Sequence, residues 1–330
     1  MARQNFSGQL YDRNLEIDNM EPQDILLLGG TSFIGRQLLE RLHQQSAEIH
    51  VIARTAHTLS TLSGVHCYAE SLDNQELLNK ILPHCKTVVH LACASTPGSS
   101  ALQPIFEAEH NLLPTLRFLD VLQKHEHVSL IYLSSGGATY GNPTAQLVKE
   151  DEPLAPLSYY GAGKATLEKF IMAFCQQVQR SAIILRPSNF YGPGQPYSAG
   201  FGIVPTIFHH LLSSKPLTIW GNGEAVRDYL YVSDFIDLCI QLIEQPMTHT
   251  GARIYNVGLE KGYSLNQLCT SIEEVTHQPI TRQYQVSRSV DVKRIVLDCT
   301  RLHNDYQWYP RVDLPAGLAL TWEWFKAQAS

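Results

Sequence analysis

Short apolar runs alternate with segments of helical period along the first half of the chain. Residues 24–28 form a strand-length run that ends at two glycines, and residues 33–45 follow with apolar positions at helical spacing. We therefore predict a strand, a tight turn and a helix in this order. The same pattern predicts further strands at residues 49–53, 65–68, 87–92, 130–134 and 182–185, and further helices at residues 105–123 and 160–177.

The predicted strands are apolar through their length and are separated by helices, which is typical of a parallel sheet covered on both faces. Because crossover connections are right-handed, the predicted fold class is α/β with a doubly wound parallel sheet, the Rossmann fold. After residue 186 the regular alternation ends, and only isolated strands are predicted, such as 217–220 and 253–257. The predicted division is an N-terminal extension with an alternative start at Met20, a Rossmann domain, and a smaller lobe interwoven with the last sheet strands, at residues 1–20, 21–186 and 187–330.

Composition narrows the functional class. The chain has 330 residues, a net charge of −6 and 44% hydrophobic residues, so we expect a globular protein with no electrostatic attraction to nucleic acid or an anionic membrane. No apolar stretch reaches the roughly 20 residues that span a bilayer, and the polar start lacks the apolar core of a signal peptide. Seven scattered cysteines without a CxxC pair predict reduced, mostly buried thiols and no metal site. The expected location is cytoplasmic.

Tyr160 and Lys164 are the strongest candidates for catalysis. On a helix, residues four apart share a face, so the phenol and the ammonium would lie close together. A neighbouring cation favours the phenolate and is expected to lower the tyrosine pKa from about 10 towards neutral pH. Such a tyrosine could take a proton from a hydroxyl group while a cofactor takes the hydride.

A glycine-rich turn connects the first predicted strand to the first helix. Small residues at this position let the backbone approach a pyrophosphate, which the helix N-terminus then holds. Its place in the first βαβ unit favours a dinucleotide cofactor over a plain turn. The candidate cofactor-binding residues in this turn are Gly29, Thr31, Ser32, Phe33, Ile34 and Gly35.

From about residue 24 to its end, the sequence resembles the extended short-chain dehydrogenase/reductase family, in its nucleotide-sugar epimerase and dehydratase branch. Each motif is modest, but their order and separation together are specific. The motifs are Gly29 to Gly35, His90-Leu91-Ala92, Asn111, Ser134-Ser135 with Tyr140-Gly141, Tyr160 with Lys164, Arg186 to Pro193, Gly221-Asn222-Gly223, Arg227-Asp228-Tyr229, Tyr231 to Asp234, and Arg288 with Asp291.

The resemblance implies NAD or NADP on the first half of the chain and a nucleoside diphosphate sugar on the second. Tyr160 would be the catalytic base, and Lys164 would bind the nicotinamide ribose. Further cofactor contacts would come from Ser71, Leu72, Leu91 and Ala92, and substrate contacts from Asn189, Arg227, Arg288 and Asp291. A guanidinium fork suits a diphosphate that must be held without being cleaved. The helices at 105–123 and 160–177 would form the four-helix interface of a homodimer.

Three positions depart from the family pattern. Ser32 replaces the middle glycine of the turn and should be tolerated if its φ stays negative. Gly136 stands where many relatives have the catalytic Ser or Thr, so we choose Ser135 for that role, with Thr139 or a water as alternatives. The second strand ends without the acidic residue that reads the ribose 2′-hydroxyl, and Arg54 could pair with a 2′-phosphate instead, which leaves NAD and NADP both open.

The predicted function is epimerisation of a nucleotide sugar, with a UDP-sugar 4-epimerase acting through a 4-keto intermediate as the leading hypothesis. An NADPH-dependent 4-ketoreductase uses the same tyrosine and is the first alternative. A dehydratase is disfavoured because no Asp-Glu pair follows Ser135. A cofactor-binding regulatory protein without turnover is the alternative of another class. Sugar selectivity is expected in the loops at residues 95–102 and 195–204.

Overall fold

The computed structural model describes residues 23–45, 48–59, 62–198, 202–245, 247–287 and 292–329. The predicted N-terminal extension, with Met20, lies outside the described residues, and so do the candidate substrate residues Arg288 and Asp291.

A seven-stranded parallel sheet forms the centre of the structure, which confirms the predicted fold class. Its strands are β1 Asp24–Leu28, β2 Ile49–Ile52, β3 Val65–Tyr68, β4 Cys85–His90, β5 Ser129–Leu133, β6 Ser181–Pro187 and β10 Gly251–Val257. The strand order is β10-β6-β5-β4-β1-β2-β3, and all six neighbouring pairs are parallel.

Helices cover both faces of this sheet. One face is covered by α1 (Phe33–His43) and α8 (Val232–Glu244), whose apolar side chains share a core with β1 and β2. The other face is covered by α2 (Gln75–Ile81), α4 (Leu113–Leu122) and α6 (Tyr159–Gln177). This two-sided burial explains why strands such as β1 and β6 are apolar almost throughout rather than alternating, whereas the edge strand β3 is largely exposed.

The single helix predicted at residues 105–123 is interrupted. It begins as α3 (Pro104–Glu107), passes through a π-helical turn at Ala108–Leu112, and continues as α4. A π turn fits one more residue into a turn than an α-helix does and is frequent at functional sites. Asn111 is buried inside it.

The later part of the chain builds a second core and also returns to the main sheet. Strand β10 pairs with β6, and α8 packs on α1. The remaining elements are α5 Gly136–Thr139, β7 Asn189–Tyr191, α7 Ile203–Leu212, β8 Leu217–Trp220, β9 Val226–Tyr231, β11 Gly262–Ser264, α9 Leu265–Thr276, β12 Arg282–Gln285, β13 Arg294–Ile295, α10 Thr300–Tyr306 and α11 Leu314–Ala329. The second core is formed mainly by α7, α9 and α11 with β7, β8 and β9.

A buried ion pair fixes α6 against the sheet. Arg186 at the end of β6 is 2% exposed, and its Nη2 lies 2.6 Å from Glu168 Oε2 on α6. The same guanidinium donates to the Tyr140 hydroxyl at 2.7 Å, which in turn donates to Asn256 Oδ1 at 2.7 Å. Because removing one partner of a buried pair leaves an uncompensated charge, this network holds α6 in one register.

All seven cysteines are free thiols in the structure. Five are buried, whereas Cys67 and Cys93 are exposed.

Candidate active site

The glycine-rich turn brings the ends of β1 and β4 into close contact. Gly29 has a φ of +87°, and a Cβ at this position would lie 2.7 Å from the Ala92 backbone. A Cβ at Gly35 would lie 2.5 Å from Gly29 O, so only glycine fits at either position. Ser32 caps α1 with φ −68°, and its Oγ accepts the Gly35 N–H at 3.1 Å. The expectation of a negative φ at Ser32 is therefore confirmed.

The other cofactor candidates lie at the same carboxyl edge of the sheet. Leu91 is buried and donates its N–H to Leu28 O at 2.9 Å, which brings the end of β4 beside the glycine turn. Ile34 is buried and Phe33 is half-buried at the start of α1. Beyond β3, Ser71 is exposed and donates to Asp73, and Leu72 packs on the core.

Tyr160 and Lys164 meet at the start of α6, as their spacing predicts. Ser158 caps this helix by accepting the Gly161 N–H at 3.1 Å. Lys164 Nζ donates to Leu133 O at 2.7 Å and lies 5.9 Å from the Tyr160 ring centroid. The Ser135 hydroxyl hydrogen-bonds to Tyr160. The structure thus brings all three predicted catalytic residues together.

The pKa of Tyr160 is shifted in the direction opposite to the sequence-based expectation. Burial is the largest influence and raises the pKa of Tyr160 well above its usual value; the nearby Cys93 and Glu107 raise this pKa further. The hydrogen bond from Ser135 lowers it in part. The predicted lowering of this pKa is wrong: the groups that shift it do not include Lys164, whose ammonium donates to Leu133 O.

The residues that fix the loop before α3 were not predicted from the sequence. Ser100 is fully buried, and its Oγ accepts the Tyr160 N–H at 3.0 Å. Glu107 accepts hydrogen bonds from Ser95 Oγ at 2.5 Å and from Asn111 Nδ2 at 3.0 Å. No sequence motif marks Ser100, Ser95 or Glu107. Only the hydrogen bonds seen in the structure show that these side chains fix the loop.

Gly136 does not face the site. A Cβ at Gly136 would lie 2.7 Å from Leu297 Cδ1 and 2.9 Å from Arg186 O, in the buried core under α5. A Cβ at Gly137 would meet Asn189 Oδ1 at 3.1 Å. A side chain at position 136 would therefore point away from Tyr160, whereas Ser135 reaches it.

Asn189 and Arg227 lie on neighbouring strands of the second part of the fold. Asn189 is in β7, half-buried, and pairs with Tyr229 of β9. Arg227 is two residues earlier on β9, half-buried, and its Nη1 donates to Val226 O at 2.9 Å. The structure thus places these two substrate candidates close in register.

His90 is enclosed in the core, as expected of a structural histidine. Its Nε2 lies 3.1 Å from Thr115 Oγ1, and its ring packs edge-on against Phe118 and Tyr132. Burial, and secondly the charge of Lys164, lower the pKa of His90 to about 3. The imidazole is therefore neutral at physiological pH.

A cavity of about 750 Å³ lies elsewhere, between β9, β11 and α9. Val226, Tyr263 and Arg294 are among its lining residues, whereas the three catalytic candidates are not. In the ranges that the structure describes, no group of three His, Cys, Asp or Glu is arranged to hold a metal ion. None of the described helices is long and apolar enough to span a bilayer.

The chain is similar in sequence and in fold to UDP-glucose 4-epimerases. The UDP-glucose 4-epimerase of Mycolicibacterium smegmatis is 29% identical over 313 residues, which cover 91% of this chain and 98% of that protein. The crystal structure of the Thermotoga maritima UDP-glucose 4-epimerase with UDP-glucose has a TM-score of 0.85 and 28% identity, covering 93% of this chain and 100% of that one. The Thermus thermophilus UDP-glucose 4-epimerase in complex with NAD has a TM-score of 0.83 and 28% identity, covering 92% and 99%.

The family assignment follows from the span of the match. The sequence model of the NAD dependent epimerase/dehydratase family matches residues 25–258, from β1 to the residue after β10. This range contains the glycine turn, Ser135, Tyr160, Lys164 and every strand of the main sheet. The chain therefore belongs to the NAD-dependent epimerase/dehydratase family of enzymes.

Proposed function

We propose that the protein is an NAD-dependent nucleotide-sugar epimerase that inverts C4 of a UDP-sugar. The observation that carries this proposal is the contact of the Tyr160 hydroxyl with Ser135, beside the buried Lys164 ammonium, at the carboxyl edge of the main sheet. Ligands of doubly wound folds bind at this edge. The UDP-glucose epimerases to which the chain is similar support the choice of substrate class.

The residues at this edge fit a nicotinamide dinucleotide. The backbone contact of Gly29 with Ala92 leaves no side chain between the turn and an approaching pyrophosphate. The start of α1 presents backbone N–H groups to that position. Lys164 would hold the nicotinamide ribose. When bound, NAD would supply the hydride acceptor and hydride donor that inversion at C4 of the sugar requires.

Ser135, the N-cap of α5, and Tyr160 in the first turn of α6 supply the proton transfers. Tyr160 takes the proton of the C4 hydroxyl and gives it back after the sugar has turned over in the site. Ser135 shares this proton through its hydrogen bond to Tyr160. Because burial raises the pKa of Tyr160, the phenolate needs positive charge nearby, and Lys164 is the cation that this chain supplies.

We propose that residues 187–330 supply most of the sugar-nucleotide contacts. Asn189 is a candidate for the sugar or its phosphate, because it lies beside Gly137 next to the catalytic segment. Arg227 is a candidate for binding the pyrophosphate, and Arg288 is a second candidate. Asp291 is a further candidate substrate contact. Arg288 and Asp291 lie outside the described residues.

We also propose a homodimer. Apolar side chains of the adjacent α3, α4 and α6 are exposed in the single chain, with Ile105 66%, Leu113 44% and Phe170 47% accessible. A second copy of the chain would bury these side chains across a twofold axis.

The seven unpaired cysteines support a reducing compartment, which the cytoplasm provides.

The test is to incubate purified protein with UDP-glucose and other UDP-sugars and to follow the C4 configuration by NMR. Epimerisation without net oxidation of the sugar supports the proposal. Stoichiometric consumption of NADPH with a 4-keto sugar, and no epimerisation, would show a ketoreductase instead. A protein that binds NAD and UDP-sugar but converts neither would be a binding protein.

A further inference from the structure

Glu107, the last residue of α3, carries a carboxylate that is buried beside the catalytic helix. It is 4% exposed, and both of its oxygens accept hydrogen bonds. Ser95 Oγ donates to Oε2 at 2.5 Å, and Asn111 Nδ2 donates to Oε1 at 3.0 Å. Both donors are uncharged, so these bonds satisfy the oxygens without neutralising the negative charge. In buried surroundings, such a charge acts strongly on nearby groups.

The hydrogen bonds of Glu107 hold the loop that follows β4. Asn111 Nδ2 also donates to Ser95 Oγ at 2.9 Å, so the three side chains form a closed triangle. Asn111 Oδ1 accepts the N–H of Ala94 at 2.7 Å, and Cys93 Sγ donates to Ser95 O at 3.4 Å. The loop is therefore fixed at the point where the chain leaves the carboxyl edge of the main sheet.

The same carboxylate lies against α6, between the two catalytic side chains of that helix. A Cβ at Gly163 would lie 2.4 Å from Glu107 Oε1 and 2.9 Å from Glu107 Cγ, closer than side chains pack. Gly163 stands three residues after Tyr160 and directly before Lys164. Glycine inside a helix is less favourable than alanine. Gly163 therefore lowers the stability of the helix but lets the carboxylate approach it.

Other titratable groups face Tyr160 from the surrounding elements. They are Cys93 in the loop after β4, Tyr132 of β5 and Lys164 of α6. Lys164 Nζ lies 5.9 Å from the centroid of the Tyr160 ring and 5.0 Å from that of the Tyr132 ring. Tyr132 is fully buried, and its hydroxyl has no hydrogen-bond partner in the described part of the chain. Burial raises the pKa of Tyr132 well above its usual value, so this phenol stays uncharged.

Two buried carboxylates act on this group of side chains, and only one of them is paired with a cation. Glu168 Oε2 lies 2.6 Å from Arg186 Nη2, whereas Glu107 accepts from neutral donors. After burial and Cys93, Glu107 raises the pKa of Tyr160. A thiol generally gains its charge only near pH ~8.5, whereas a carboxylate is charged throughout the neutral range. Glu107 is therefore an uncompensated negative charge beside Tyr160 at neutral pH.

We propose that Glu107 is a positioning residue for the catalytic tyrosine: it holds the loop after β4 against α6, and its charge sets the pH range in which Tyr160 serves as a base. The inference rests on the proposed function only for the identity of the reaction. A negative charge opposes formation of the phenolate, and it makes the phenolate that does form a stronger base. Glu107 therefore keeps Tyr160 protonated at low pH and strengthens it as a base at high pH.

The experiment is the pH dependence of kcat/KM of the full chain with NAD and UDP-glucose, for the wild type and Glu107→Gln. Glutamine keeps the shape of the side chain and can still bond to Ser95 and Asn111, but it is uncharged. Removing the charge lowers the pKa of Tyr160, so the acidic limb of the profile should move to lower pH by about one unit. The plateau at high pH should fall by less than about tenfold, because the phenolate is a weaker base.

The controls separate charge from structure. Glu109→Gln removes the same charge two residues further along, at an exposed position, and should keep the wild-type profile. Cys93→Ser removes the thiol and should leave the acidic limb in place. Glu107→Asp keeps the charge but draws it back from α6 by one methylene, so the limb should move in the same direction by a smaller amount. This variant decides the question if Glu107→Gln does not fold.

Tyrosine labelled with 13C at Cζ reports the same equilibrium without turnover, and Tyr160→Phe identifies the resonance among the 15 tyrosines. In Glu107→Gln, this resonance should begin to move towards its phenolate position at lower pH than in the wild type. A purely structural role would lower the rate equally at every pH and leave the resonance unmoved, which would overturn the inference while turnover upholds the proposed function. A moved resonance in a protein that epimerises no UDP-sugar would support the inference and overturn the proposed function alone.

Discussion

The two adjacent glycines at the start of α5 provide a test of which residue supplies the catalytic hydroxyl. In Gly136→Ala, the new methyl would lie 2.7 Å from Leu297 Cδ1 and 2.9 Å from the Arg186 carbonyl oxygen. Carbon atoms in contact normally lie 3.5–4.0 Å apart. Leu297 is fully buried, and the Arg186 oxygen belongs to the backbone, so neither can move freely.

We expect Gly136→Ala to destabilise the fold by about 1–3 kcal/mol, the usual cost of overpacking a core. In Gly137→Ala, the methyl would meet only Asn189 Oδ1 at 3.1 Å, the end of a half-buried side chain that can rotate. Gly137→Ala should therefore change the free energy of unfolding by less than about 1 kcal/mol while raising KM.

The assay combines denaturant unfolding with steady-state kinetics on the same preparations. Ser135→Ala completes the series and should lower kcat by roughly a hundredfold or more, because it removes the hydrogen bond to Tyr160. If Gly136→Ser keeps its stability and turns over faster than the wild type, position 136 faces the substrate. That result would refute both the packing analysis and the assignment of Ser135.

The remaining predictions concern the base, the core and the assembly. Tyr160→Phe should fold normally and lose roughly 10²–10⁴ in kcat, and near-normal turnover would move the role of base to another residue, first to Tyr159. The pKa of His90 is lowered to about 3, so its contribution to stability is present above about pH 6.5 and is lost at about 1.4 kcal/mol per pH unit as the pH falls towards 3. Between neutral and mildly acidic pH, the free energy of unfolding should fall less for His90→Gln than for the wild type. An equal pH dependence of the two proteins would contradict the lowered pKa of His90. Light scattering at micromolar concentration should give the mass of a dimer, and Phe170→Glu, which places a charge among exposed apolar side chains, should give a monomer. A wild-type monomer would rule out the proposed assembly.

The fold could be predicted from the apolar periodicity, and the catalytic pair could be predicted from the four-residue spacing of Tyr160 and Lys164. β1 and β3 occur at the predicted bounds, and α6 begins one residue before its predicted start. Both results depend on local sequence, in which burial fixes the period and helical geometry fixes the spacing of Tyr160 and Lys164.

What the sequence could not show depends on contacts between distant segments. Ser100 meets the Tyr160 backbone across 60 positions, and no pattern in the loop indicates it. The pKa of Tyr160 depends on how far its hydroxyl is removed from water, which spacing alone does not reveal. The direction of position 136 likewise follows from Leu297, whose place beside α5 is set by the folding of the last third of the chain.

The π turn before α4 has a consequence for how related chains are compared. Since this turn holds one residue more than an α-helical turn, the apolar phase before Ala108 and the phase after Leu112 are displaced by one position. A relative with a regular α-helix here would be one residue shorter, and an alignment without a gap would set surface residues against core residues. Deletion of one residue within this segment would restore a continuous helix but would rotate Asn111 away from Ser95 and Glu107. The additional residue of the π turn therefore maintains the hydrogen bonds by which Asn111 connects this helix to the loop before the catalytic tyrosine.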